Sequence, residues 1–318
     1  MKNFLKNFPV SIFSIVMGIV GVSLATEMAQ NVFQKNLWIN RAWFGIGFCV
    51  FIIIFLLYLM KMIFAFKEVK EEFLNPISIN FFSTISISFL LIGQGFRTFS
   101  GTFALILIFI GTFLQLLFSF IIISQWIRQT KYEIHHMNPS WFIPVVGNLL
   151  IPVFAHQIFP VYVEWFFFSS ATLFYIILLP ILIYRLIFHH PLVDKLVPTL
   201  LIFIAPASIA ALAYYQLTGQ RNPTVVFFYC SAFFFFILLF FLIDFFFKIK
   251  FDLSWWAYTF PLAAFSISTL FMSGVWSFLR WFDIGLIILL NLITLGLLVV
   301  TLIKLIDGKL FINQKTGE

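Results

Sequence analysis

Ten apolar runs follow one another along this chain, and their polar content alternates. Twenty-residue windows at 9–28, 42–61, 77–96, 103–122, 139–158, 165–184, 198–217, 225–244, 254–273 and 284–303 mark the runs. In odd-numbered windows, Gly, Ala, Ser, Thr, Asn, Gln and Pro fill 45 of 100 positions, and in even-numbered ones 20 of 100. Lipid tails favour bulky apolar side chains, whereas close helix packing and water-lined cavities favour small and hydroxylic ones. The odd segments are therefore expected inside and the even segments outside.

A helix needs about 20 apolar residues to cross a hydrocarbon core of roughly 30 Å. Runs such as Phe227 to Phe247 are continuously apolar, unlike the alternating strands of a barrel, so the segments read as helices. Their boundaries fall near 8–28, 41–66, 77–97, 101–127, 139–159, 161–187, 196–217, 223–248, 253–274 and 280–306. Short connections make consecutive segments antiparallel hairpins. The predicted fold is an all-α integral membrane protein with ten transmembrane helices as five helical hairpins. An inner ring of odd helices surrounds a central pore, and residues 1–318 form a single polytopic membrane domain.

Composition agrees. With 62% hydrophobic and 10% charged residues, and a mean hydropathy of +1.08, a soluble globule would expose too much apolar surface. The net charge of +7 does not imply nucleic acid, because no basic stripe forms. Its distribution is topological. Fourteen of the 19 basic residues lie on the termini and even-numbered connections: Lys2, Lys6, Lys61, Lys67, Lys70, Arg128, Lys131, Arg185, Lys195, Lys248, Lys250, Lys304, Lys309 and Lys315. Lys35, Arg41, Arg97, Arg221 and Arg280 lie opposite. The positive-inside rule then places both termini in the cytoplasm, across a plasma membrane of the bacterial inner-membrane type. Lys2, Lys6 and Ser23-Leu24-Ala25 imitate a signal peptide. Cleavage there would leave nine segments and spoil the charge asymmetry, so this run reads as segment 1.

Pro144, Pro152, Pro206 and Pro261 fall within odd segments, and only Pro180 lies well inside an even one. A proline removes an amide donor and clashes one turn back, so the inner helices are expected to kink. The freed carbonyls then need protein or cavity water as partners. Phe233 to Phe236 and Phe245 to Phe247 read as lipid-facing bulk, and Cys49 and Cys230 as small buried apolar side chains.

Phe260 precedes Pro261, which pushes it away from helical angles at a kink halfway along segment 9. A ring there closes a narrow pore by dewetting it; an ordinary core phenylalanine is the competing reading. No window holds Asp, Glu, Lys or Arg near its middle. A proton-coupled carrier usually has such a relay, so its absence favours passive flow. Candidate pore-lining residues are Ser11, Ser14, Gly18, Ser83, Ser86, Asn148, Ser208, Thr259 and Ser266, with Pro144, Pro206 and Pro261 at the bends. Helix–helix hydrogen bonding is the alternative role for each polar side chain. His135-His136 and His189-His190 lack metal-ligand spacing. His156, near the outer end of segment 5, is the better protonatable mouth group, weighed against a structural role. There is no Gly-rich phosphate loop, HExxH or G-x-S-x-G, so no enzyme, cofactor or metal is expected.

Trp255-Trp256-Ala257-Tyr258-Thr259-Phe260-Pro261 resembles the ninth-helix motif of the tellurite-resistance/dicarboxylate transporter family, which includes bacterial TehA and the plant guard-cell slow anion channels. Phe8-Pro9-Val10 leading to Gly18, Asn138-Pro139-Ser140-Trp141 through Asn148, and Pro198-Thr199 through Ala205-Pro206-Ala207-Ser208 also match. The resemblance covers nearly the whole chain. It implies ten helices in five hairpins, a homotrimer with one pore per subunit, and a phenylalanine at Phe260 that occludes the pore. It also implies small anions as partners, inorganic (chloride, nitrate) or organic, within a lipid bilayer. Ile92-Gly93-Gln94-Gly95 departs from the bacterial pattern, where a carboxylate follows Gly93. Two readings emerge: a gated channel for small monovalent anions, or a proton-coupled or facilitative carrier for C4-dicarboxylate or sulfite.

Overall fold

The computed structural model describes residues 2–35, 38–308 and 310–311, with side chains from Phe4 onward. Lys309 and Lys315, counted above with the cytoplasmic charges, lie outside the described residues, as does the Lys2 side chain. All regular structure among the described residues is helical. Among the described residues, eight helices are long and apolar enough to cross a membrane: Val10–Val32, Ile39–Phe64, Ser78–Phe96, Gly101–Arg128, Val161–Phe188, Asp194–Thr218, Pro223–Phe241 and Leu279–Ile306. They match segments 1 to 4, 6 to 8 and 10. Segment 5 is the shorter apolar stretch Pro139–Phe154, and segment 9 runs from Leu253 to Met272.

Burial follows the alternation of small and bulky residues. Segments 1, 3 and 7 are 83%, 72% and 89% buried, against 28% to 39% for the five even segments. Where the backbones meet, a side chain is missing. A methyl group on Gly93 would lie 2.8 Å from the Ile108 side chain, and one on Gly111 would lie 2.9 Å from the Leu90 backbone nitrogen. Segments 3 and 4 therefore pack in direct backbone contact.

Each odd segment begins as a 3-10 helix and continues as an α-helix. The 3-10 stretches are Val10–Ile12, Ser78–Phe82, Pro139–Phe142, Asp194–Phe203 and Leu253–Tyr258. Asx caps start three of them: Asn75 accepts from the Ile77 and Ser78 amides, Asn138 from the Ser140 amide, and Asp252 from the Ser254 amide. Such caps satisfy amides that have no intrahelical partner. Hydroxyls then bond back three residues, Thr84 to Phe81 O, Thr199 to Leu196 O and Thr259 to Trp256 O, a spacing that suits the tighter helix.

The kink expectation is corrected by this change of helix type. Pro144, Pro206 and Pro261 sit in the first turn of the α-helices Ile143–Val146, Ile204–Thr218 and Thr259–Met272. A first-turn amide has no intrahelical acceptor, so proline costs little there. Phe260 is accordingly helical, not displaced from helical angles. Segment 5 is broken further, with a second 3-10 stretch, Gly147–Leu149, between two short α-helices.

Three other readings change. Cys49 and Cys230 are exposed on outer faces. Phe233 to Phe236 do not all face outward, because four consecutive helical residues point in four directions: Phe234 is exposed, while Phe235 stacks on Phe203 and Phe236 on Phe265. The connection between segments 2 and 3 contains a further helix, Phe66–Leu74. It is tied down by Glu72, whose carboxylate accepts from the Val10 amide, the Tyr58 hydroxyl and the Lys61 ammonium, the last at 2.7 Å. Lys61 is buried and also donates to Phe8 O.

Candidate functional site

All five odd segments, and no even one, contribute residues to the wall of one cavity. Segment 1 supplies Ser14 and Met17, segment 3 Phe81, Thr84 and Ile87, and segment 5 Phe142, Ile143, Val146, Gly147 and Leu150. Segment 7 supplies Ile202, Ala205, Pro206 and Ile209, and segment 9 Trp256, Ala257, Phe260 and Pro261. The wall is almost wholly apolar, and no ionisable side chain lines it. Its free volume of about 60 Å³ holds only a few waters.

Phe260 is half-buried, and its backbone is held from behind. Trp256, one turn earlier, is fully buried and donates its indole N–H to the Thr301 hydroxyl of segment 10 at 3.0 Å. Segment 1 crosses at Gly18 and Gly21. A methyl group on Gly18 would lie 2.1 Å from Thr259 Oγ1, and one on Gly21 would lie 3.5 Å from the Phe260 ring. These contacts set the position of segment 9 against segment 1.

The broken helix of segment 5 is repaired from segment 4. The Pro144 carbonyl accepts from Gln115 Nε2 at 2.9 Å and from the Ser119 hydroxyl at 2.5 Å. Gln115 Oε1 in turn accepts from the Ser86 hydroxyl at 2.6 Å. Protein side chains thus meet the requirement that a helix break places on a buried carbonyl. Gln115 and Ser119 were not singled out from sequence. They stand four residues apart on one face of an otherwise apolar run, and that spacing is the signal that finds them.

Of the residues expected at the pore, Ser14, Phe260, Pro206 and Pro261 line the cavity. Ser11 is half-buried and outside this wall, as are Gly18, Ser83, Ser86, Asn148, Ser208, Thr259 and Ser266. Pro144 turns its carbonyl toward segment 4. Ser208 bonds back to Ile204 O and Thr259 to Trp256 O, and Asn148 Oδ1 lies 3.3 Å from the Ser119 hydroxyl, whose one proton goes to the Pro144 carbonyl. The Ser83 hydroxyl is buried, and that of Ser266 lies beside the Asp283 carboxyl.

Charged residues at the ends of the even segments are buried away from this cavity. Glu164, at the start of segment 6, receives His156 Nδ1 at 2.9 Å and the Gln157 amide at 3.1 Å. Asp283 of segment 10 is fully buried beside the Ser266 hydroxyl of segment 9. His135 pairs with Glu133 at 3.3 Å, and burial, followed by the neighbouring His135, holds His136 below its ordinary imidazole range. Arg97 donates to Phe154 O, joining the far ends of segments 3 and 5. Arg221 lies 4.6 Å from the Phe271 ring and 5.8 Å from that of Tyr215, across the ends of segments 9 and 7.

Comparison with known proteins agrees with this architecture. The voltage-dependent anion channel family profile matches residues 7–302. An uncharacterized transporter of Methanocaldococcus jannaschii is 26% identical, with 98% of each chain covered. The tellurite resistance protein TehA homolog of Haemophilus influenzae is 27% identical over 98% of this chain and 95% of its own. The S-type anion channel SLAH3 of Arabidopsis thaliana is 30% identical over 84% of this chain, which spans 43% of the plant protein's length.

Proposed function

We propose, from the premise that this chain belongs to the voltage-dependent anion channel family, that it is a gated channel passing small monovalent anions passively. Ten helices, as five hairpins, would put the odd segments in a ring around a central pore, with both termini in the cytoplasm. The observation that carries the reading is the apolar, uncharged cavity bounded by five odd segments, with Phe260 on its wall. An ion must shed water to pass such a constriction, and a few apolar rings suffice to keep it dry. Phe260 is the gate in this proposal because it is a large ring on that wall. The family pattern extends the proposal to a homotrimer with one pore per subunit.

Passive flow is preferred over proton-coupled carriage. Coupling requires an ionisable group that meets the substrate on its path, and Glu164, His156 and Asp283 are absent from the cavity wall. Selectivity would then follow dehydration cost and size, with chloride and nitrate as the expected ions. The test is a current–voltage measurement on protein reconstituted in planar bilayers. Under chloride and nitrate gradients the current should reverse at the anion equilibrium potential, with or without a pH gradient. Reversal that tracks the pH gradient, or electrically silent malate uptake, would support the carrier instead.

A further inference from the structure

A second cavity, of about 320 Å³, opens where the far end of segment 1 meets segments 2 and 3. It shares no lining residue with the axial cavity, and its wall is polar. Glu27 of segment 1 and Arg41 of segment 2 both line it, and Arg41 acts electrostatically on Glu27, yet among the described residues no salt bridge joins them. Lys35 adds a second cation. Gln30, Asn31 and Asn40 add polar side chains to the wall.

Gln34 also lines this cavity and takes a left-handed backbone conformation, φ 53°. Glycine adopts that conformation without strain, and glutamine does not. Opposed charges that line one cavity without a salt bridge between them leave complementary hydrogen-bonding capacity facing the same space. An anion alone would meet Glu27, and a cation alone would meet Arg41 and Lys35. A molecule carrying both charges satisfies each wall at once.

We infer that this outer cavity is a binding site for a small zwitterion, its ammonium group on Glu27 and its oxyanion on Arg41 and Lys35. Free amino acids and an ethanolamine phospholipid headgroup share this chemistry. The site shares no residue with the cavity assigned to conduction, so its test does not depend on the proposed channel reading.

Saturation-transfer NMR on the protein in phosphatidylcholine nanodiscs, with glycine, β-alanine, acetate and methylammonium as probes, tests the inference. Glycine or β-alanine should receive transfer while acetate and methylammonium do not, and Glu27→Gln or Arg41→Gln should each weaken binding about tenfold or more. Native mass spectrometry supplies the lipid arm: phosphatidylethanolamine should be retained over phosphatidylcholine, and lost in Glu27→Gln. Retention of the lipid without transfer to the free probes assigns the site to the headgroup. Acetate binding as well as glycine, no preference for any zwitterion in either arm, or unchanged binding in both variants overturns the inference. The wild-type probe series decides alone should a variant misfold.

Discussion

Gly18 lies directly against Thr259, so closely that a methyl group on Gly18 would sit 2.1 Å from the threonine hydroxyl oxygen and 3.0 Å from the Trp256 ring. Thr259 is fixed by its bond to Trp256 O and immediately precedes Phe260. Its short side chain has little freedom to move aside. Gly18→Ala should therefore destabilise the protein by about 1–3 kcal/mol through overpacking. Thermal unfolding of the purified variant in detergent measures this, and an unchanged midpoint would show that segment 9 yields freely.

Gln115 and Ser119 share the Pro144 carbonyl, so either alone leaves it with a partner. Gln115→Leu and Ser119→Ala should each cost about 1 kcal/mol, while the pair together costs about 1–3 kcal/mol more than their sum, because a buried carbonyl is then bare. A double-mutant cycle on unfolding free energy reads the coupling. Simple additivity would mean that another group reaches the carbonyl.

Two lysines next to the same connecting helix should differ sharply. Lys61 is 1% exposed and bonded to Glu72 and Phe8 O, whereas Lys67 is 86% exposed and 3.9 Å from Glu71. Lys61→Met strands a carboxylate among buried partners and should cost about 3–5 kcal/mol. Lys67→Met should stay within about 0.5 kcal/mol. Comparable melting shifts for the two would contradict a structural role for the Lys61–Glu72 pair.

Much of this architecture was legible in the residues. The excess of small residues marked the buried segments, and Asn138-Pro139-Ser140 marked the start of one. The change from 3-10 to α-helix was not legible, because both helix types bury the same apolar side chains and differ only in hydrogen-bond register. Prolines signalled a disturbance, but their position in the first α-helical turn decides its form. Glu164 and Asp283 escaped notice for a simple reason: each stands one residue ahead of an apolar window, at 165–184 and 284–303. Burial at such edges depends on which neighbour covers them, as Glu72 covers Lys61 from eleven residues away. Of the candidate hydroxyls, Ser14 lines the axial cavity, whereas Ser208 and Thr259 bond back to their own helices. Composition alone does not separate those roles.

Single-channel recording of Phe260→Ala in planar bilayers under symmetric chloride tests most directly the proposal that Phe260 closes the cavity between the odd segments. Removing the ring widens and wets the constriction, so conductance should rise about tenfold or more over wild type while selectivity for anions over cations is kept. A correctly inserted Phe260→Ala protein that carries wild-type current would contradict the account.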